Sequence, residues 1–261
     1  MSFQALARIK YGVMQFSSRK FRIVLTNVSV VIPAYDEIEN LRIILPKLNR
    51  QLDAVGQLKF EILVIVRVAA SEAQVTEIRS MGGVPVRRSP GDLFGDAIRT
   101  GLRTLDRESD YVLVMDADGS HSPETVPSLI SEILDKKADV VIASRYTKGG
   151  SSDNSLLLRA MSRTLNATYA LVLGIRCRDI STNFKIYRSN LVRDLNLSCN
   201  NYDIVEEILL NVRRRAGQNF TIIEIPDRFN KRIHGESKRN LGLFIATYII
   251  TLVRLRFRKL R

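Results

Sequence analysis

Two aspartates stand one residue apart at the end of an apolar run, in Tyr111–Glu124, YVLVMDADGSHSPE. In extended backbone, residues i and i+2 point the same way, so Asp116 and Asp118 present their carboxylates together. Two such charges are relieved by a cation between them. A site of few oxygen donors suits Mg²⁺ or Mn²⁺, with substrate phosphates completing the shell. A diphosphate there would call for more positive charge. The sequence offers Arg145 after an apolar run, Arg159 and Arg163 near a helix start, and Arg232 and Lys238 in a late polar loop. Arginine makes forked contacts to phosphate oxygens, and lysine acts as a point charge. His121, beside the acidic pair, is expected to pack behind it rather than to bind metal.

The elements that must position these residues follow from periodicity. From residue 28 onward, short apolar runs alternate with helical patterns. VSVVIPAY reads as a buried strand stopped by Pro33. Leu41, Ile44, Leu45, Leu48 and Leu52 then recur at helical spacing. FEILVIV, GVPVR, YVLVM and DVVIASRY read as further strands. Helices are predicted over residues 71–80, Phe94–Leu105 and after Ser122-Pro123-Glu124, where Ser122 is expected to cap and Pro123 to fill the first turn. After the Gly/Ser-rich TKGGSSDNS, a helix is predicted over Leu156–Leu173, a strand at FKIY, a helix over Tyr202–Arg215 and a strand at FTIIEI. This order predicts an α/β fold: a mostly parallel, Rossmann-like central sheet with helices on both faces. The acidic pair falls at the carboxyl end of a strand, where open α/β sheets bind ligands. The second half is expected to join the same sheet. No repeat, Walker loop or GxGxxG loop is present.

The 261 residues are 45% hydrophobic, enough for one sizeable core. The net charge is +13, and its two ends account for +11 of it. No acidic residue precedes Asp36 and none follows Glu236. Leu241–Val253 is nearly all apolar and gives way to RLRFRKLR. Thirteen apolar residues are too few for the ~20 that span a bilayer. They suit an interfacial helix with cations at headgroup level, a core helix with a basic tip being the other reading. The domain reading is a basic segment at 1–27, a catalytic domain at 28–238 and an amphipathic basic helix at 239–261. A nucleic-acid partner is not expected, since tryptophan is absent and no recognition motif is visible. Cys177 and Cys199 lack metal-site spacing and read as thiols in a reducing compartment. The absence of a signal-like N-terminus predicts a cytoplasmic protein on the cytoplasmic face of a membrane.

Taken together and in order, several motifs resemble family 2 glycosyltransferases of the GT-A fold, and within them the polyprenyl-phosphate (dolichyl-phosphate) mannosyltransferases. They are VSVVIPAYDEIENL, FGDAIRTGL, DADGSHSPE, VVIASRYTKGG, DISTNFKIY, the spacing from Glu207 to Gly217, and RIHGESK. The resemblance covers about residues 28–238. It implies nucleotide-sugar contacts at Pro33, Ala34, Tyr35, Glu37, Asp116, Arg232 and Lys238, and metal ligands at Asp116 and Asp118. It implies an acceptor-phosphate site at Arg145, Arg159 and Ser162. Asp118 and Arg145 are implied in catalysis, and Asp179 and Glu207 are the candidate bases were the acceptor a hydroxyl. The chain departs from the family pattern at Val66-Arg67-Val68, where relatives often carry aspartates, at Ser120 for Gln, at Leu158 for Arg, and at Asn183 for Gly.

The resemblance implies metal-dependent, inverting transfer of a sugar, mannose from GDP-mannose first, to a polyprenyl phosphate at an anionic membrane surface, with a membrane-protein partner as one means of attachment. A UDP-sugar donor, glucose or N-acetylhexosamine, is the alternative. The missing aspartates leave open a nucleotide-sugar-binding protein without turnover.

Overall fold

The computed structural model describes residues 25–233 together with 251, 252, 254 and 257. Lys238, the 1–24 segment and most of 239–261 lie outside the described residues.

The first half builds the parallel part of the sheet. β1 (Thr26–Pro33) is followed by α1 (Ile38–Val55), β2 (Leu58–Val66), α2 (Glu72–Ser80), β3 (Val84–Arg87), α3 (Phe94–Thr104) and β4 (Tyr111–Val114). A 3₁₀ turn at Pro123–Thr125 leads into α4 (Val126–Lys136), then β5 (Val140–Ser144). Ser122 does not cap that turn; its hydroxyl donates to Glu124 instead. Residue alternation sorts the strands between two cores. Val28, Val30 and Ile32 face the cluster under α1 and α4, while Val31 faces the opposite cluster under α3. α3 packs against β1 so closely that a Cβ on Gly101 would lie 2.3 Å from Val31 Cγ1.

The second half completes the same sheet, as the sequence predicts. β6 (Ser151–Ser152), α5 (Leu156–Leu173), β7 (Lys185–Arg188), α6 (Ser189–Val192), α7 (Ile204–Ala216), β8 (Ile222–Pro226) and β9 (Arg228–Phe229) follow in order. The sheet order is β3-β2-β1-β4-β7-β5-β8, and β7 alone runs antiparallel to its neighbours. Its insertion between β4 and β5 has a direct consequence. The start of β7 lies at the edge where β4 and β5 end, so three segments deliver side chains to one crevice.

A second, two-stranded sheet joins β6 to β9. Its pairing continues beyond the strands on both sides. Ser151 N–H donates to the Asp227 carbonyl, and Asp153 N–H to that of Phe229. Farther along, Asn230 N–H donates to the Ser120 carbonyl and Ile233 N–H to that of Asp118. Residues 227–233 therefore form a strap, bound to the Gly/Ser-rich loop on one side and the acidic loop on the other.

At the far end of the chain, residues 251, 252, 254 and 257 are helical. Thr251 is buried and donates to Asp203 Oδ2 at 2.8 Å, Leu252 packs against the α7-side core, and Arg254 reaches Ser198 Oγ at 2.7 Å. Thr251, Leu252 and Arg254 thus contact the domain, while Phe257 is 78% exposed.

Candidate active site

The acidic pair leaves β4 directly. Asp116 Oδ1 accepts from Asn183 Nδ2 at 2.9 Å, which ties the β4 end to the segment entering β7. Asn183 thus has a specific task. Asp118 Oδ1 accepts from the Ser120 hydroxyl and, at 3.0 Å, from the Ser120 amide. Its other oxygen lies 3.0 Å from Arg232 Nε. Burial pushes the Asp118 carboxyl up. The Ser120 hydroxyl, the His121 ring, the Ser120 amide and Arg232 together outweigh that and hold it below the ordinary carboxylate range.

Gly119, between these contacts, has φ +81°, and a Cβ there would lie 2.5 Å from Ile233 of the strap. Both the left-handed turn and the close approach require glycine at this position. His121 is buried behind the pair. Its Nδ1 accepts from Asp116 N–H at 3.0 Å, and its ring stacks on Phe184 at 4.8 Å. It packs behind the pair as the sequence reading expected.

Arg145 follows β5. Its guanidinium forks onto Asp179, with Nε 2.8 Å from Oδ2 and Nη2 2.6 Å from Oδ1, and its own amide donates to Oδ2 as well. Asp179 is fully buried, and Glu224 on β8 accepts its amide. Arg145 Nη2 also donates to Ser181 Oγ at 2.9 Å. Ser181 is held in turn by Asn166 of α5, whose amide nitrogen also donates to the Ser162 carbonyl. The Tyr146 ring has Arg145 5.0 Å and Arg163 5.3 Å from its centre. Arg159 is half-buried one turn earlier on α5. So Arg145, Arg163, Ser162 and Asp179 form one cluster beside the acidic pair.

This site places two carboxylates and a locked arginine at the carboxyl edge of a mostly parallel sheet. The chain matches Glycosyl transferase family 2 over residues 29–195. It belongs to that family. It is 30% identical over 227 residues to an undecaprenyl-phosphate mannosyltransferase of Micrococcus luteus, covering 83% of this chain and 88% of that one. It is 31% identical over 230 residues to a polyprenol monophosphomannose synthase of Mycolicibacterium smegmatis, covering 80% and 79%. Among solved structures it shares its fold with glucosyl-3-phosphoglycerate synthase of Mycobacterium tuberculosis in complex with Mg²⁺ and UDP. That match has TM-score 0.64 and 19% identity, and covers 88% of this chain and 79% of that one. The same enzyme is also solved with Mn²⁺ and UDP.

In this glycosyltransferase the other expected site residues divide. Pro33, Ala34 and Tyr35 end β1 at the same sheet edge, with the Tyr35 ring half exposed. Glu37 turns its carboxylate back onto the Tyr35 and Asp36 amides. Glu207, on α7, is fully buried and accepts from the Ser198 and Cys199 amides, which fixes the loop before that helix. Lys238 lies outside the described residues.

Several contributors were not visible in the sequence. Arg88 is buried and donates to the carbonyls of Ala34, Ile65, Val66 and Asp92, binding the ends of β1 and β2 together. Burial pushes its guanidinium down from the ordinary value, against the pull of nearby Asp92 and Glu37. Asp92 accepts the Val68 amide at 2.8 Å, just past the end of β2. Asp227 accepts from Thr125 at 2.7 Å, and burial raises its carboxyl above the ordinary value despite that bond. Only the Arg87-Arg88 doublet at a strand end gave any local signal.

Asp116 and Asp118 fit a hard divalent ion held by two carboxylates, with substrate oxygens in the remaining positions. Arg232 on Asp118 shows that this carboxylate takes a cationic partner from outside its own loop.

Proposed function

We propose that this glycosyltransferase moves a sugar from a nucleotide diphospho-sugar to a polyprenyl phosphate at a membrane surface, with inversion at the anomeric carbon. The names of the Micrococcus and Mycolicibacterium relatives support the acceptor class and favour mannose, with GDP-mannose as the donor.

The observation that carries the reading is the engagement of both candidate bases. Asp179 is forked onto Arg145, and Glu207 is bound to backbone amides in the core. A sugar hydroxyl acceptor needs a base to take its proton. A phosphate acceptor is already an anion near neutral pH and needs none. Its oxygen attacks the anomeric carbon, and the bond from that carbon to the diphosphate oxygen breaks. Arg145 would hold the acceptor phosphate, with Arg159, Arg163 and Ser162 on α5 beside it. Arg232, and Lys238 beyond it, would meet the diphosphate.

Asp116 and Asp118 would hold Mg²⁺ or Mn²⁺, which supplies positive charge to the departing diphosphate. The buried, charge-committed arrangement around Arg145 is ready before substrate arrives, so little reorganisation is left for the reacting complex.

The test is transfer of labelled sugar to a polyprenyl phosphate in detergent, with GDP-mannose, UDP-glucose and UDP-N-acetylglucosamine compared, each with and without EDTA. Mannosyl transfer that EDTA abolishes is the expected result. A UDP-sugar preference would replace the donor assignment. No transfer from any donor, with nucleotide binding intact, would leave a binding protein in place of an enzyme.

A further inference from the structure

Asp92 stands in the loop from β3 to α3, and its carboxylate is only half committed. Oδ1 accepts the Val68 amide at 2.8 Å and lies 3.9 Å from Arg88 Nε. Oδ2 has no hydrogen-bond partner among the described residues. The side chain is 38% exposed, which leaves it reachable by a ligand.

Arg88 holds this loop against the strand ends. Its Nη1 donates to the Asp92 carbonyl at 3.1 Å, and its Nη2 to the Ala34 carbonyl. The same guanidinium lies 5.5 Å from the centre of the Tyr35 ring, so Asp92 and Tyr35 flank one side chain. The ring is 49% exposed at the edge where the family resemblance implies the nucleotide. A half-exposed aromatic face suits stacking with a base.

We propose that Asp92 selects guanine in the nucleotide donor, its carboxylate accepting from the ring N1–H and the exocyclic amine. The assignment rests on the nucleotide-sugar reading above. Guanine presents two donors side by side on that edge, which match the two oxygens of a carboxylate. Oδ1 keeps a lone pair beyond the one that Val68 uses, and Oδ2 is open. Uracil presents one N–H flanked by two carbonyl oxygens, and a carboxylate repels both. Adenine and cytosine present one amine beside a bare ring nitrogen. The charge that attracts guanine therefore disfavours the other bases. The Val68 amide holds the carboxylate in place before the donor arrives, so little side-chain freedom is lost on binding. The base lies at the opposite end of the donor from the anomeric carbon. Asp92 is thus a specificity residue that touches no reacting atom.

The experiment measures binding of GDP, UDP, inosine diphosphate and xanthosine diphosphate to the full chain with Mn²⁺, by calorimetry. Wild type is expected to bind GDP most tightly. Inosine diphosphate, which lacks the amine, should bind about tenfold more weakly, the scale of one hydrogen bond to a charged group. Xanthosine diphosphate, with a carbonyl in place of the amine, should bind more weakly still. Asp92→Asn keeps an oxygen for the Val68 amide and turns an N–H toward the base. It should lose about tenfold to a hundredfold in GDP affinity and gain affinity for xanthosine diphosphate by a similar factor. With GDP-mannose it should show a raised donor KM and a kcat near that of wild type. An unchanged GDP preference in Asp92→Asn, with no gain for xanthosine diphosphate, overturns the proposal and leaves the donor reading intact. So does an equal loss for all four nucleotides, because Asp92 would then act only through Val68. Equal wild-type affinity for GDP and inosine diphosphate overturns it without any variant. A wild type that binds UDP more tightly than GDP overturns both the proposal and the GDP-mannose reading.

Discussion

Arg232 Nε lies 3.0 Å from Asp118 Oδ2, so a residue of the strap neutralises the carboxylate that the family pattern assigns to a metal. The contact is reinforced by backbone, since Ile233 N–H donates to the Asp118 carbonyl. Strap and acidic loop therefore move as one unit while this ion pair holds. A divalent ion and the arginine would compete for the same oxygen. Arg232→Gln should bind Mn²⁺ without nucleotide about twofold to fivefold more tightly, the scale of one partly exposed ion pair. The same variant should lose transfer activity, because the arginine is then missing from the diphosphate. Electron paramagnetic resonance of free Mn²⁺ checks the first half; unchanged affinity would mean the pair does not compete with metal.

The Arg145–Asp179 fork is the most completely buried ion pair of the site, with Asp179 wholly inaccessible. Removing one partner leaves the other charge buried and unpaired, at a cost of about 3–5 kcal/mol. Asp179→Ala should lower stability by that amount in chemical denaturation. Asp179→Asn keeps the shape and should cost less, yet still release the guanidinium from its orientation. Its signature would be a raised KM for the lipid acceptor with the nucleotide KM little changed. A normal acceptor KM in Asp179→Asn would show that Arg145 is placed without the fork.

Much of the fold was legible because its signals are local. Apolar runs ending in Pro33 or in Asp116 mark strands, and the Leu41–Leu52 spacing marks a helix whatever the rest of the chain does. The helix predicted over Leu156–Leu173 has those bounds. The antiparallel entry of β7 between β4 and β5 was not legible, because strand partners as far apart as Val114 and Lys185 leave no local trace. The same holds for Asn183 on Asp116, for Arg88 on four carbonyls, and for the strap. The motifs gave the positions of Asp118, Arg145 and Arg232. Their pairing partners came only from the packed chain, since Asp179 and Glu207 have the same residue type as a base and differ from one only in what surrounds them.

The family resemblance implies that the ends of β1 and β2 meet the nucleotide. Arg67 follows β2 there, with Nη1 3.7 Å from Asp36 and its guanidinium 5.9 Å from the Tyr35 ring centre. Its Nε is buried and has no hydrogen-bond partner among the described residues. A bound base or ribose that offered an acceptor there would complete it. Arg67→Ala should weaken GDP binding about tenfold, the scale of one hydrogen bond to a charged group. The melting temperature should change little, since the side chain is partly exposed. Arg67→Asp, which reverses the charge there, should alter the ratio of GDP to UDP affinity in calorimetry. If both variants bind both nucleotides as wild type does, Arg67 takes no part in reading the base.

Lys185 opens β7 with its ammonium fully buried, donating to the carbonyls of Ile180 and Thr182. It thereby folds the Asp179–Asn183 segment that supplies both the fork and the Asp116 contact. Burial pushes its pKa down to about 8 from 10.5, and nearby Cys177, Glu206 and Asp179 recover only part of the shift. The sign follows from proton binding: between about pH 8 and 10.5 the unfolded chain holds a proton that the folded protein has released. Stability from this residue therefore rises with pH across that window, and the cost of the buried charge is fully present below it. Lys185→Met removes the titration. The stability of wild type relative to Lys185→Met should thus improve from pH 7 to pH 10, measured by denaturation of both proteins at each pH. A difference that is flat over this range would mean that Lys185 keeps an ordinary pKa in the fold. Lys185→Met should also lose transfer activity at every pH, because the carbonyls of Ile180 and Thr182 lose their shared donor and the segment carrying Asp179, Ser181 and Asn183 loses its anchor.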